Sequence, residues 1–175
     1  MFQTSSRKLG WVLLVALLLF LGGPSLRSKE VPSQAAKAAE KEEKGPAVLS
    51  AKPLKIEAGD DELHKLLKER YNAAVAELQA RCEEVRSGPG STEKLFDAAR
   101  KVLRSELAIS DKPADRIAVR GKQLELEQAA EKMAIARFKA GKLSDADVAA
   151  ARYLRLDAAV QLLRAQQKAT AAPGK

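Results

Sequence analysis

The chain has 175 residues, with 31 Lys plus Arg against 23 Asp plus Glu and a formal net charge of +8. One His, one Cys and 4% aromatic residues exclude a Cys/His zinc site and an intrachain disulfide framework. They also argue against a β-sandwich or a nucleotide-cradling α/β fold. Residues 60–166 hold 20 basic and 18 acidic side chains, so most of the positive surplus lies at the two ends. A nucleic-acid binder needs a concentrated basic face to neutralise several phosphates. No such run occurs, and nucleic-acid binding is disfavoured.

Arg7-Lys8 precede the apolar run Leu9–Leu21, closed by Gly22-Gly23-Pro24-Ser25. A charged segment followed by an apolar one is the order of an export signal. The stretch from Leu9 to Gly23 is 15 residues, shorter than the roughly 20 of a full span. Pro24 and the lack of Ala-x-Ala make a poor cleavage site, with Ser25 or Ser28 as the candidate cuts. Two readings stand for residues 1–28: a signal peptide, or a short membrane anchor formed by residues 9–23. Both place the protein in the cell envelope, either periplasmic and exported or tethered to the inner membrane.

Residues 29–59 are an Ala/Lys/Glu/Pro mixture with few large apolar side chains, which reads as a disordered linker. Asp60-Asp61-Glu62 then place negative charge at a helix start. Leu63, Leu67, Tyr71, Ala74, Leu78, Cys82 and Val85 follow at spacings of 3 and 4, one helical stripe. Ser87-Gly88-Pro89-Gly90-Ser91 stops it. A second helix presents Leu95, Ala99, Val102 and Ile109 until the break at Ser110–Pro113. The third runs from about Ala114 to Ala140 with Ile117, Leu124, Met133 and Phe138, and ends at Gly141-Lys142-Leu143. Ser144 to Asp147 is a capping-box variant opening the fourth. Ala149, Tyr153, Leu156, Val160 and Leu163 step 4, 3, 4, 3, a coiled-coil seam expected to be buried. Tyr71, Phe96, Phe138 and Tyr153 are expected to fill the core. Residues 167–175 read as a disordered tail.

At an offset of 53, Val85, Gly88, Ser91, Leu95, Ala98, Leu103 and Leu107 match Phe138, Gly141, Ser144, Val148, Ala151, Leu156 and Val160. The expected fold is therefore all-α: residues 60–166 form two antiparallel helical hairpins, up-down-up-down and coiled-coil-like, with both Gly turns at one end. The stretch Ala134–Val148, with the Ala/Arg/Leu helix after it, resembles the helical hairpin of TolC-type outer-membrane efflux proteins. The chain is far shorter than that family, and no strands are visible for a barrel. It is closer to a short bacterial relative that keeps the hairpin without the barrel. The resemblance implies an envelope setting and an interaction tip formed by Gly141, Leu143, Asp147 and Val148, with Gly88 and Leu95 as its degenerate copy.

Catalytic chemistry finds little footing. His64 lies on the first turn of a helix and Cys82 on an apolar stripe. Glu83-Glu84 and the Glu125/Glu127 pair have no His beside them to complete a di-metal site. Gly88-Pro89-Gly90-Ser91 lacks the Lys and the strand of a phosphate loop. No nucleophile has a visible base. The sequence is thus expected to encode no enzyme, and no catalytic, cofactor or metal site. The expected function is an envelope-associated helical protein acting by helix-to-helix contact, structural or adaptor in role. Its partners are the membrane through the N-terminus, and a helical protein surface or itself. The alternative is a membrane-anchored regulator facing the cytoplasm and contacting nucleic acid or a transcription factor.

Overall fold

A computed structural model describes residues 45–171. Among them the fold is all-α, with no strand: α1 (Glu62–Ser87), α2 (Thr92–Ile109), α3 (Pro113–Lys139) and α4 (Asp145–Thr170), preceded by a 3-10 turn at Ala47–Ser50. The expected signal or anchor at residues 1–28 lies outside the described residues. No helix among the described residues is long and apolar enough to cross a membrane.

Each boundary has a local cause. Asp61 caps α1, its side chain accepting from the His64 N–H at 2.7 Å. Gly88 leaves α1 at φ 104°, where an L side chain is strained. Gly90 then donates to the Glu84 carbonyl at 3.0 Å, so close to α1 that a Cβ would lie 2.3 Å from the Val85 nitrogen. Ser91 caps α2 through the Lys94 N–H. Pro113 occupies the first turn of α3, where its missing N–H costs nothing. Arg116 reaches back to the Leu107 and Ser110 carbonyls at the end of α2, at 3.0 and 3.1 Å. α3 ends in a Schellman turn: Gly141 at φ 69° donates to Phe138, and Lys142 to Arg137. The expected capping box is present, Ser144 and Asp147 exchanging backbone and side-chain hydrogen bonds.

α1 packs along α2, α2 along α3 and α3 along α4, whereas α1 and α4 do not touch. Ion pairs cross each contact. Lys101 meets Glu77 at 2.9 Å between α1 and α2. Arg100 meets Glu127 at 2.8 Å, and Lys122 meets Glu106 at 2.5 Å, between α2 and α3. Arg152 and Arg155 both reach Glu131 between α4 and α3, at 3.2 and 2.6 Å. The core is centred on α2. Tyr71, Ala74, Val75 and Leu78 of α1, Ala98, Ala99, Val102 and Leu103 of α2, and Val119 and Leu126 of α3 form one buried cluster.

Five sequence expectations are corrected. Residues 29–44 of the expected linker lie outside the described residues, and residues 45–59 are tied to the fold: Val48 joins the core cluster, and the Leu54 backbone pairs with the Asn72 side chain at 2.7 and 2.9 Å. The cause is Val48-Leu49, an apolar plug that touches α1, α2 and α3. The tail assigned to residues 167–175 continues α4 as far as Thr170. On α3 the buried residues are Val119, Leu126, Glu127 and Ala134, while Met133 and Phe138 are exposed. On α4 only Ala158 is buried, and the expected seam faces outward. Of the four aromatics, Tyr71 is buried and Phe96 packs against the core, but Phe138 and Tyr153 are exposed.

Candidate interaction surface

The two glycine turns stand at the same end. Arg137 in the last turn of α3 donates to Thr92 Oγ1 at the start of α2, at 3.5 Å. The six residues named as a tip are thereby brought to one end of the helices, but they do different things there. Gly88 and Gly141 are exposed and shape the turns. Leu95 packs against the core cluster. Asp147 is occupied by the capping box: hydrogen bonds from the Ser144 side chain and backbone hold its carboxyl below the usual Asp value. Val148 is half-buried. Leu143 lines an open groove of about 210 Å³ together with Phe96, Met133, Ala134, Ala151 and Leu154, and Asp147 and Arg137 stand at its wall. Leu154 and Arg137 are groove residues that the sequence pattern does not single out, and Met133, expected in the stripe of α3, lines the groove instead. Their signal is weak, because each sits on a helix whose apolar residues occur on more than one face.

The larger apolar feature is the outer face of α4. Tyr153, Leu156, Val160 and Leu163 are 69, 48, 42 and 57% exposed. They form one stripe opposite Ala158, which is buried where α4 meets α3. The 53-residue repeat gives this face a counterpart. Leu103 and Leu107 of α2, which match Leu156 and Val160, lie in or against the core. Arg100, which matches Tyr153, is bound in bidentate fashion by Glu127 of α3 at 2.8 and 2.8 Å. The position that α3 covers on α2 is thus left uncovered on α4.

The groups with catalytic potential are held in structural bonds. His64 Nδ1 lies 2.9 Å from Asp61 Oδ2, and its Nε2 lies 3.7 Å from Asp111. Burial pushes the Cys82 thiol up, which lowers its thiolate fraction. Glu127 is buried against Arg100, and Glu83 pairs with Arg86. Among the described residues no three His, Cys, Asp or Glu side chains cluster as metal ligands. The described surface is made of exposed apolar and charged helix faces. No protein family, curated protein or solved structure matches the chain, and nothing in those comparisons links it to TolC-type proteins.

Proposed function

We propose that the protein is an envelope-associated, non-enzymatic module of two antiparallel helical hairpins that acts by helix-to-helix contact, in a structural or adaptor role. The observation that carries this reading is the uncovered stripe of α4, Tyr153 to Leu163, with the 4 and 3 spacing of a coiled-coil seam. A soluble helix that exposes such a stripe is built to be covered. The hairpin arrangement is supported by the short turns at Gly88 and Gly141 and by the Arg137–Thr92 bond that holds them at one end. The groove beside Leu143 is a second docking position at that end, in keeping with the tip implied by the TolC-type resemblance.

The envelope setting is supported by Arg7-Lys8 followed by Leu9–Leu21. A reporter that works only outside the cytoplasm, fused after Lys175, is expected to be active. Replacing Leu17 and Leu18 with Arg should silence it, since each charge at the centre of such a segment costs about 2.5–3.5 kcal/mol on insertion scales. A silent wild-type fusion, with a cytoplasm-active reporter at the same position working instead, would replace the envelope reading with that of a cytoplasm-facing regulator.

A further inference from the structure

We propose that α4 is a homodimerisation helix: two copies of the chain pair through the Ala149–Leu163 stripe as a parallel two-stranded coiled coil, Arg152 of each copy facing Asp157 of the other. The assignment deepens the helix-contact reading and rests on it, but it is independent of where the protein resides.

Three observations lead to it. The first is the repeat. On α2 the equivalent face is a working helix-packing surface, with Leu103 3% exposed beneath α3. The same register on α4 keeps the apolar residues and lacks the covering helix. The second is the choice of side chains. The spacing sets Tyr153 and Val160 at heptad position a, and Ala149, Leu156 and Leu163 at position d. Among parallel coiled coils, a β-branched residue at a, here Val160, with Leu at d, here Leu156 and Leu163, favours two strands. The third is charge. In that register Arg152 falls at g and Asp157 at the following e. These are the flanking positions whose side chains pair between parallel helices. Five residues apart on one helix, the two do not face each other within a chain. Two-fold symmetry then supplies the pair twice, because a self-complementary patch meets its own copy.

Both partners are available. Asp157 is exposed and makes no hydrogen bond or ion pair among the described residues, although Arg120 of α3 contributes an electrostatic attraction. Arg152 is 60% exposed and shares Glu131 with Arg155, whose bond is the shorter at 2.6 against 3.2 Å. Glu131 keeps one arginine if Arg152 turns toward a neighbouring chain. α3 packs on the Ala158 side of α4 and leaves the stripe clear for approach.

The test uses the full-length chain in mild detergent, with Cys82→Ser as background so that no native thiol reacts. Val160→Cys places one thiol at position a, where parallel copies bring like residues together. Mild oxidation at micromolar protein should give a disulfide-linked dimer from Val160→Cys. Lys94→Cys, on the exposed side of α2, should give none. Adding Arg152→Glu to Val160→Cys should lower the dimer yield by about tenfold, since like charges across an interface are costly. Combining Arg152→Glu with Asp157→Arg should restore it. Helical circular dichroism of each variant checks that the fold is intact. Equal cross-linking at positions 160 and 94 overturns the proposal. So does a folded chain that sediments as a monomer. So does a disulfide that forms only between mixed Leu156→Cys and Val160→Cys chains, the signature of antiparallel pairing, or a double charge swap that fails to rescue. Failure here leaves the export result untouched, and failure of export leaves this result untouched.

Discussion

Glu127 is buried between α2 and α3, and Arg100 makes that burial tolerable. The guanidinium offers Nε and Nη2 to the two carboxylate oxygens, at 2.8 Å each, and turns its remaining edge to Asp97. Charges taken out of water are costly unless paired in good geometry, and removing one partner strands the other. Glu127→Ala is therefore expected to lower stability by about 3 kcal/mol, at the low end of the range for broken buried pairs. Urea unfolding measures it. Glu125→Ala, two residues away on an exposed position, should lie within the scatter of ordinary surface changes. His64 gives a pH signature at the same scale. Its hydrogen bond and ion pair with Asp61, and then Asp111, raise the imidazole above its ordinary value of 6.5. A raised value means that the folded state holds the proton more tightly than the unfolded chain. The contribution is complete below about 6.5 and is lost as pH climbs through the folded-state value. The thermal midpoint should fall slightly over that window. His64→Ala should abolish this step while leaving the backbone N–H of residue 64 to its Asp61 cap. A step of unchanged size in the variant would assign the titration to another group.

At the scale of the helix, sequence pattern reported where helices start and stop far better than which face they bury. The breaks at Gly88, Ser110 and Gly141 and the Ser144 box are visible in the sequence because glycine, proline and capping side chains act locally. The α1 stripe is also legible through Tyr71, Ala74 and Leu78, because α1 packs along a single helix, α2, and shows one periodicity. α3 lies between α2 and α4 and buries residues on more than one side. Its apolar stripe therefore has no single phase, and Val119 and Leu126 escaped notice among Ile117, Leu124 and Met133. α4 carries the reverse trap. Its large apolar residues form the better seam, but α3 takes the alanine side, since small residues permit close helix approach. Asp147 is occupied in its capping box, and the groove at Leu143 depends on packing that no local pattern encodes. Two substitutions separate the faces. Leu126→Asp puts a charge in the core without a partner and should prevent cooperative folding. Leu156→Asp, on the outer stripe, should leave the thermal midpoint of dilute protein within a few degrees of the wild type. Similar losses for the two would mean that α4 buries the opposite face.

Taken as a whole molecule, the helices form an open series rather than a closed bundle, because α1 and α4 share no contact. The core cluster draws on the 3-10 turn, α1, α2 and the first half of α3, and α4 contributes nothing to it. α4 is held by its contact with α3, by burial of Ala158 and by the two arginines on Glu131. Those bonds are partly exposed, and exposed ion pairs add little. Stability is then unequal along the chain, and regions with few buried apolar contacts open at lower free energy than the core. Amide hydrogen exchange on dilute protein should show the strongest protection in the middle of α1 and in α2, around Val75, Leu78, Ala99 and Val102. Amides of α4 should exchange earlier and as a block, since the helix detaches from α3 without disturbing the α1–α2 contact. Raising the protein concentration supplies a second readout. Pairing through the outer stripe covers α4 on its free side, and anything that binds the folded form protects it by mass action. Protection of residues 149–163 should therefore rise with concentration while that of α1 stays constant. Uniform protection across all four helices at every concentration would show that α4 belongs to the cooperative core after all.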